Sequence, residues 1–332
     1  MSVTGASTDV RPIWLCADDY GISHSVSKAI RDLVVRGRLN ATSAMVAAPS
    51  LDRSEAGSLK ILNIGTRRVA IGLHVTLTGR FKPMSASFRP TRGGTFVSLA
   101  EMMVRGRLAL LDRQALEREI AAQLKAFAGL FGQAPDFIDG HQHVHLFPQV
   151  REVLLDLARK SAPRAWVRQC GRVATLPPVP FHDYKTRVLD ALSDKFRALA
   201  AERGIPTNPA FAGVYDFASA KNVDFARVFP GFLRALPAQS VVMCHPGFVD
   251  AELERLDPLT TQREREYAYF AGDEFPGVLA QDVGQVRRRI AAGHHVELGM
   301  GAKYGEMGQA HLAESHHGGL DHGSVLPSRG GR

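Results

Sequence analysis

The chain has 332 residues, of which 45% are hydrophobic and 22% are charged, as is ordinary for a globular protein. No apolar run is long enough for a membrane-spanning helix, and the first residues lack the apolar core of a cleaved export signal. Three widely spaced cysteines argue against a disulfide framework or a cysteine zinc cluster, so a reduced, cytoplasmic location is expected. The net charge of +8 comes from scattered basic residues, and nucleic-acid binding is not expected.

Short apolar runs alternate with amphipathic segments along most of the chain. The runs predict strands. In chain order these are residues 13–17, 42–47, 70–77, 135–139, 165–168, 211–214, 240–244 and 295–298. The first run ends in a turn at Asp18-Asp19-Tyr20-Gly21, and a helix capped by Ser23 or Ser25 then continues to Arg36. Helical apolar spacing predicts the later helices. These span residues 114–131, 150–161, 186–203, 223–236 and 279–292.

The strands are continuously apolar rather than alternating, which indicates a parallel sheet covered by helices. Seven or eight strand–helix units in one chain favour a distorted (β/α) barrel, a TIM-barrel-like α/β fold with mostly parallel strands. No linker stands out, so residues 10–304 are predicted to form a single domain. Residues 305–332 are rich in Gly, His and Ser and predict a flexible tail.

Polar side chains stand at the ends of several predicted strands. They are Asp18, Asp19, His74, His141, His143, His145, Arg168 and His245. Because the carboxyl ends of parallel strands gather on one face of such a fold, we expect these residues to converge there. One aspartate and two histidines, with a position left open for water, suit a divalent cation that promotes hydrolysis.

The roles within this set stay open at the level of residue types. In extended backbone the adjacent Asp18 and Asp19 point in opposite directions, which favours one metal ligand and one base if the turn re-aims one of them. In the same extended geometry His141, His143 and His145 face one side, and one of them can ligate while the others bind substrate or support the site.

Four segments, in chain order, resemble the YdjC-like carbohydrate deacetylases, which include chitooligosaccharide deacetylases and deacetylases associated with hopanoid biosynthesis. They are "CADDYGIS", "IGLHVTLTG", "DGHQHVHLFP" and "VVMCHPG". A fifth, "LTTQREREYAYF" with Arg263 and Glu266, resembles the family's helix after the His-Pro-Gly turn. Gln142 stands where some relatives have histidine. The resemblance implies a distorted (β/α) barrel and removal of an N-linked acetyl group from an amino sugar with one divalent metal ion.

Carried over motif by motif, the resemblance implies that Asp19, His74 and His141 bind the metal. Asp18 resembles the general base, and His245 the general acid. Four further residues are expected to bind substrate: His143, His145, Arg168 and Tyr20. Arg168 is expected either to bind the sugar hydroxyls or to orient Asp18, and the alternative is a structural salt bridge.

Two alternatives remain at this stage. One is a metal-dependent hydrolase of another bond, such as a phosphoester, although such enzymes usually use additional bridging carboxylates. The other is a non-catalytic carbohydrate-binding protein, which would need no base and acid pair. The choice between zinc and magnesium, the identity of the sugar, any attached lipid and formation of a homodimer are left open.

Overall fold

In the computed structural model, the chain is described at residues 11–66, 68–173, 176, 183–215 and 223–282. All of these belong to the first of two units into which the chain divides, Met1–His295. The predicted strand 295–298, the tail 305–332 and the end of the predicted helix 279–292 lie outside the described residues. No helix in the described part is both long and apolar enough to span a bilayer.

Seven of the eight predicted apolar runs form a seven-stranded parallel sheet, and a two-stranded antiparallel hairpin that was not predicted lies outside this sheet. The strands are β1 Trp14–Tyr20, β2 Ala41–Ala44, β3 Ala70–Val75, β4 Thr91–Arg92, β5 Thr95–Phe96, β6 Phe137–Gly140, β7 Trp166–Val167, β8 Phe211–Ala212 and β9 Val241–Cys244. The spatial order of the large sheet is β7-β6-β3-β2-β1-β9-β8. Its central strands are buried along almost their whole length, because helices cover the sheet.

The two edges of the sheet approach each other. A parallel bridge joins Val167 of β7 to Thr207, which precedes β8. The backbone N–H of Phe211 in β8 donates to the carbonyl of Gly171, 3.0 Å away. The sheet therefore curls into an irregular barrel, and the prediction of a distorted, mostly parallel (β/α) barrel is confirmed.

The helices begin and end at recognisable caps. They are α1 His24–Val35, α2 Arg53–Lys60, α3 Leu99–Arg107, α4 Arg113–Phe131, α5 Val150–Ser161, α6 Tyr184–Glu202, α7 Phe225–Leu233, α8 Ala251–Leu256, α9 Thr261–Ala271 and α10 Phe275–Asp282. Ser23, rather than Ser25, caps α1 by accepting from the N–H of Val26. Gly132 ends α4 in the left-handed conformation, with φ 71°.

Two expectations about local structure were wrong. Strand β1 does not stop at Ala17 but continues to Tyr20, so Asp18 and Asp19 lie in the strand rather than in a turn after it. The histidine segment is not extended. His141–Leu146 forms a 3-10 helix with positive φ at Gln142 and His143, so its three histidines do not share one face. Apolar periodicity also did not predict α3 or the β4–β5 hairpin. Side chains from both elements line a cleft together with His141.

Candidate metal centre and active site

Six neighbouring strands, from β7 to β9 in the sheet order, contribute polar residues at their carboxyl ends. In the strand registers His74 lies opposite Asp139, and Ala17 lies opposite Cys244. Asp18 and His245 therefore extend from adjacent strand ends. Because strands in a parallel barrel all end on the same face, residues separated by more than two hundred positions meet there.

The backbone at Asp19 is turned out of the regular strand. Asp19 has φ 67°, and the pairing of β1 with β2 shifts register between Ala17 and Tyr20. Aspartate is one of the few non-glycine residues that tolerate this left-handed conformation. The irregularity replaces the alternation of a strand, so the carboxylates of both Asp18 and Asp19 are buried at the same face. Positive φ at a buried carboxylate is typical of a functional position.

Asp19, His74 and His141 form a compact trio of metal-ligand types. Asp19 Oδ1 lies 3.3 Å from His74 Nε2 and 3.0 Å from His141 Nδ1. One candidate ligand atom from each residue lies within 4.8 Å of the other two, and all three residues are buried. Sequence reasoning assigned these three residues to the metal by resemblance, and the structure brings them together.

Asp139 supports His74 from behind. His74 Nδ1 lies 2.6 Å from Asp139 Oδ1, and Ser43 Oγ lies 3.0 Å from the same nitrogen. Burial alone would lower the pKa of His74. The charge of Asp139 and the hydrogen bonds of His74 with Asp139 and Asp19 outweigh burial and raise that pKa to about 10. A carboxylate behind a metal-binding imidazole fixes the ring and directs its other nitrogen forward. Sequence analysis left Asp139 without a role, although its place before the histidine segment was a usable signal.

Arg263 holds the second oxygen of Asp19. Its Nη2 lies 2.6 Å from Asp19 Oδ2, and its side chain is fully buried at the start of α9. Burial by itself would raise the pKa of Asp19, but Arg263 and then His141 outweigh it, so that pKa lies well below its usual range. Arg263 also lies 3.7 Å from Asp257. The sequence located this arginine in a family segment but did not connect it to Asp19.

Asp18 is held by Arg168 in a bidentate ion pair. Both Asp18 oxygens accept from the guanidinium at 2.7 Å, and Arg168 Nη2 also lies 3.0 Å from Asp139 Oδ2. Burial opposes ionisation of Asp18, but the charge of Arg168 prevails and holds the pKa of this carboxyl below its usual range. Cys16, Asp18 and Asp139 also lie close together, but the Arg168 guanidinium already supplies the cation for that group. Of the roles considered for Arg168, these contacts fit orientation of Asp18 and a structural salt bridge equally well, and its role stays a prediction.

His245 is half-buried just after β9, and its backbone N–H donates to Glu266 Oε2 at 2.5 Å. Burial lowers the pKa of the His245 imidazole, while the carboxylates of Asp19 and Asp18 oppose this. Burial raises the pKa of Glu266 to about 7, although hydrogen bonds from Tyr215 and His245 act in the opposite direction. The family segment that contains Glu266 gave no indication that it supports the histidine turn.

The remaining predicted residues differ in their placement. His143 is half-buried, with Nδ1 3.4 Å from Cys170 Sγ, and burial with the nearby Arg168 charge lowers its pKa to about 3. His145 is fully buried, and its Nε2 lies 2.8 Å from the carbonyl oxygen of Arg168. His145 thus helps to hold Arg168 and is not exposed to a substrate.

Tyr20 is also fully buried. Its hydroxyl donates to Glu55 Oε1 of α2 at 2.5 Å and accepts from Arg31 of α1 at 3.0 Å. The structure therefore does not bring this hydroxyl to the metal-ligand trio. Trp166, at the start of β7, stacks between Trp14 and Phe137 at centroid distances of 6.0 and 4.6 Å, as an aromatic residue of the core does.

A cleft of about 350 Å³ opens against His141. Ligand pockets in proteins commonly start near this size. The cleft is lined on one side by residues that follow β3 and by the β4–β5 hairpin, and on the other by the loop after α8. Its lining includes Arg80, Phe96, Leu99, Gln142 and Asp257. A substrate bound in this cleft would reach the His141 side of the trio.

The donor set fits a divalent cation. Two imidazoles and one carboxylate are ligands that borderline cations such as zinc accept, and partners outside the trio fix the orientation of His74, through Asp139, and of Asp19, through Arg263. Three buried carboxylates, Asp18, Asp19 and Asp139, face only two guanidinium groups, those of Arg168 and Arg263. The third negative charge therefore favours a cation at this point; in the metal-free protein that charge is balanced by the proton on His74, which a bound divalent ion could replace.

Curated relatives carry names that concern deacetylation. A protein of Escherichia fergusonii named chitooligosaccharide deacetylase is 28% identical over 235 residues, which are 70% of this chain and 81% of that protein. A Salmonella typhi protein with the same name is 27% identical over 234 residues, with the same coverage.

A solved structure shows the same fold. A protein of Enterococcus faecalis V583, provisionally named a cellobiose-phosphate cleavage protein, superposes with a TM-score of 0.63 and 21% identity. The match covers 82% of this chain and 95% of that protein. The sequence pattern of the YdjC-like proteins matches residues 12–281, which include Asp18, Asp19, His74, His141 and His245. The chain therefore belongs to the YdjC-like protein family.

Proposed function

We propose that this chain is a metal-dependent carbohydrate N-deacetylase that removes an N-linked acetyl group from an amino sugar. The main support is the pairing of two neighbouring sites. The Asp19–His74–His141 trio offers ligands for one divalent cation, and Asp18, fixed by Arg168, stands beside it. The names of the curated relatives point to the same reaction.

Asp19, His74 and His141 would hold the cation. When bound, such an ion polarises a carbonyl oxygen and lowers the pKa of water. Two imidazoles in the donor set fit zinc better than magnesium, which prefers oxygen ligands, but both belong in the test. Asp139 and Arg263 keep the ligands His74 and Asp19 in their orientations through the contacts already described.

Asp18 would act as the general base. Its pair with Arg168 keeps it ionised at neutral pH and fixes the direction of both oxygens. The same pair makes it a weak base, so it acts only on a proton that has already been acidified. Ser43 Oγ, 3.3 Å from Asp18 Oδ1 and 3.0 Å from His74 Nδ1, connects the base to a metal ligand.

His245 would act as the general acid and protonate the departing amine. It is half-buried and follows β9. Strand β1, which carries Asp18, lies between β9 and β2, so His245 and β2 flank Asp18 on opposite sides. The charges of Asp19 and Asp18 favour its protonated form against the effect of burial. His143, which is also half-buried, is proposed to contact the sugar as a neutral imidazole.

Residues 10–304 would form the catalytic domain, followed by the tail 305–332. The substrate would be an N-acetylated oligosaccharide or glycolipid, and the protein would act in the cytoplasm, where its buried free cysteines stay reduced.

Acetate release from N-acetylglucosamine oligomers tests the function. The full chain is stripped of metal and then reloaded with zinc, with magnesium or with buffer alone, and an aryl phosphate is assayed in parallel. Acetate that depends on one of the metals supports the proposal. Release of phosphate without acetate from folded, metal-loaded protein would instead support a phosphoesterase. Oligosaccharide binding by metal-free protein with no turnover under any condition would support a non-catalytic carbohydrate-binding protein.

A further inference from the structure

The segment between β3 and α4 carries most of the excess positive charge of the chain. Six basic residues and one acidic residue fall between positions 80 and 111, a net charge of +5, while all 332 residues together carry +8. The basic residues of this segment are spaced too widely to form a block in the sequence. Five of them are exposed in the structure. These five are Arg80, Lys82, Arg89, Arg92 and Arg107.

The same segment exposes large apolar side chains. Of the twelve such side chains that are exposed in the described part of the chain, six belong to it. They are Met84, Leu99, Met103, Val104, Leu108 and Leu110. Val104, Leu108 and Leu110 are 54%, 62% and 60% exposed. We call these six side chains and the five exposed basic residues the basic apolar surface.

Helix α3 turns an apolar side to solvent. Successive helical residues are about 100° apart, so Leu99, Met103, Val104 and Arg107 fall on one half of the helix. Its buried residues, Met102 and Gly106, fall on the other half. A helix on the surface of a globular protein usually shows polar residues on the side away from the core. Apolar side chains with a basic residue on the solvent side are instead typical of a helix that lies on a membrane surface.

The basic and apolar parts are adjacent in space. Arg92 Nη2 lies 2.9 Å from Glu101 Oε2 of α3, which places the hairpin against the helix. Arg80, Arg92 and Leu99 line the same cleft as His141. Docking through this surface would therefore bring the opening of the cleft to whatever the surface binds.

We propose that the basic apolar surface docks on an anionic lipid bilayer. Exposed arginine and lysine side chains match lipid phosphates, and the side chains of Leu99, Met103, Val104, Leu108 and Leu110 suit the boundary between headgroups and acyl chains. The other occupants fit less well. A second copy of the chain related by two-fold symmetry would bring two segments of charge +5 together. Nucleic acid would use the arginines but leave the apolar side chains without partners.

The docking itself does not depend on the proposed reaction. Its consequence for the substrate does rest on the proposed deacetylase function. With the cleft at the bilayer, an amino sugar attached to a membrane lipid can enter from the headgroup layer. Acetate release and vesicle binding are measured separately, so failure of one proposal is distinguishable from failure of the other.

Flotation of the full chain with lipid vesicles tests the proposal. One set of vesicles contains phosphatidylcholine alone, and the other contains equal parts of phosphatidylcholine and phosphatidylglycerol. The chain is expected to float with the anionic vesicles and much less with the neutral ones, and added salt should weaken the binding. Met103→Glu and Val104→Glu should each lower the partition coefficient about tenfold, because each places a carboxylate on the apolar side of α3.

Ile64→Glu is the matched control. Ile64 is 76% exposed in the turn after α2, outside the basic apolar surface, and the substitution adds the same charge. It should leave vesicle binding unchanged, and circular dichroism should show the same fold for all variants. No binding by the wild-type chain, equal loss in Ile64→Glu, or equal binding to neutral vesicles would overturn the proposal. So would a dimer in light scattering that Met103→Glu dissociates without changing vesicle binding.

Discussion

Arg263 and Asp19 are 244 positions apart in the chain, yet the guanidinium Nη2 of Arg263 lies 2.6 Å from Asp19 Oδ2. The other oxygen of Asp19 faces His74 and His141. One oxygen of the Asp19 carboxylate is thus paired with Arg263, and the other is directed at the two histidines of the metal-ligand trio. The left-handed backbone at Asp19 makes this orientation accessible, and Arg263 fixes it.

Replacing Arg263 by glutamine is expected to weaken metal binding. Without the guanidinium, Asp19 can rotate and its oxygen is no longer fixed toward the two imidazoles. Loss of such a supporting contact typically lowers metal affinity by about 10- to 100-fold. Titration of the metal-free chain with zinc by calorimetry measures the change.

Arg263→Lys and Arg105→Gln are the comparison variants. Lysine keeps the charge but not the fork of donors, so it should restore only part of the affinity. Arg105 pairs with Glu101 at a partly exposed site, and its loss should leave affinity unchanged. Zinc affinity of Arg263→Gln equal to that of the wild type, in protein with the same circular dichroism, would contradict the proposed support of Asp19.

Asp139→Asn tests the support of His74. The amide is similar in shape to the carboxylate, but it lacks the charge that orients the Nδ1–H of His74 and that meets Arg168. Zinc affinity should fall by about tenfold or more, since the imidazole loses both basicity and fixed orientation. The same calorimetric titration applies, with Asp156→Asn, a surface residue paired with Arg203, as the control. A fall of equal size in the control would show that the effect is not local.

Asp18→Asn tests the general base. Metal affinity should stay within about threefold of the wild type, while kcat for acetate release falls by roughly 100-fold or more, as expected for removal of a general base. Stopped assays with zinc-loaded protein measure kcat, and calorimetry measures the metal. An Asp18→Asn enzyme with nearly full turnover would remove Asp18 from the role of base.

Glu266→Gln should change how stability depends on pH. Burial raises the pKa of Glu266 to about 7 in the folded protein, above the ordinary value of 4.5, so the folded state binds this proton more tightly than the unfolded state. Its contribution to the free energy of unfolding is complete below about pH 4.5 and is lost as the pH rises through 7. The total is on the order of 3 kcal/mol.

Glutamine does not titrate, so Glu266→Gln should lack this component. Urea unfolding at pH 5 and at pH 8 should therefore show a smaller fall in stability for the variant than for the wild type. Glu101→Gln, which changes a surface ion pair, should follow the wild type. Parallel curves for the wild type and Glu266→Gln would show that Glu266 is ionised throughout this range.

The parts of the fold that the sequence predicted depend on local patterns. Helix α5 at Val150–Ser161 matches its prediction at both ends, and α4 ends at the predicted glycine. Amphipathic spacing and cap residues act over a few positions, so they can be recognised without knowledge of the rest of the chain. By contrast, α3 carries most of its apolar residues on the solvent side. The spacing rule assumes that the apolar side of a helix faces the core, so it did not predict this helix.

The candidate site could be predicted from the sequence only in part. Strand ends and the family resemblance placed Asp18, Asp19, His74, His141 and His245 together. The bend at Asp19 and the 3-10 helix at His141 were not visible, because positive φ at non-glycine residues is imposed by surrounding contacts rather than by local preference.

The sequence by itself determined the alternation of strands and helices, the parallel sheet and the residue types available to a metal. Only the tertiary structure decided the partners: Arg263 for Asp19, Asp139 for His74, Arg168 for Asp18 and Glu266 for the His245 backbone. The reason is that buried charges are stable only when they are paired, and the pairs here join distant segments whose meeting depends on how the sheet curls. The spacing of residues along the chain does not predict how the sheet curves, so it could not predict these pairs.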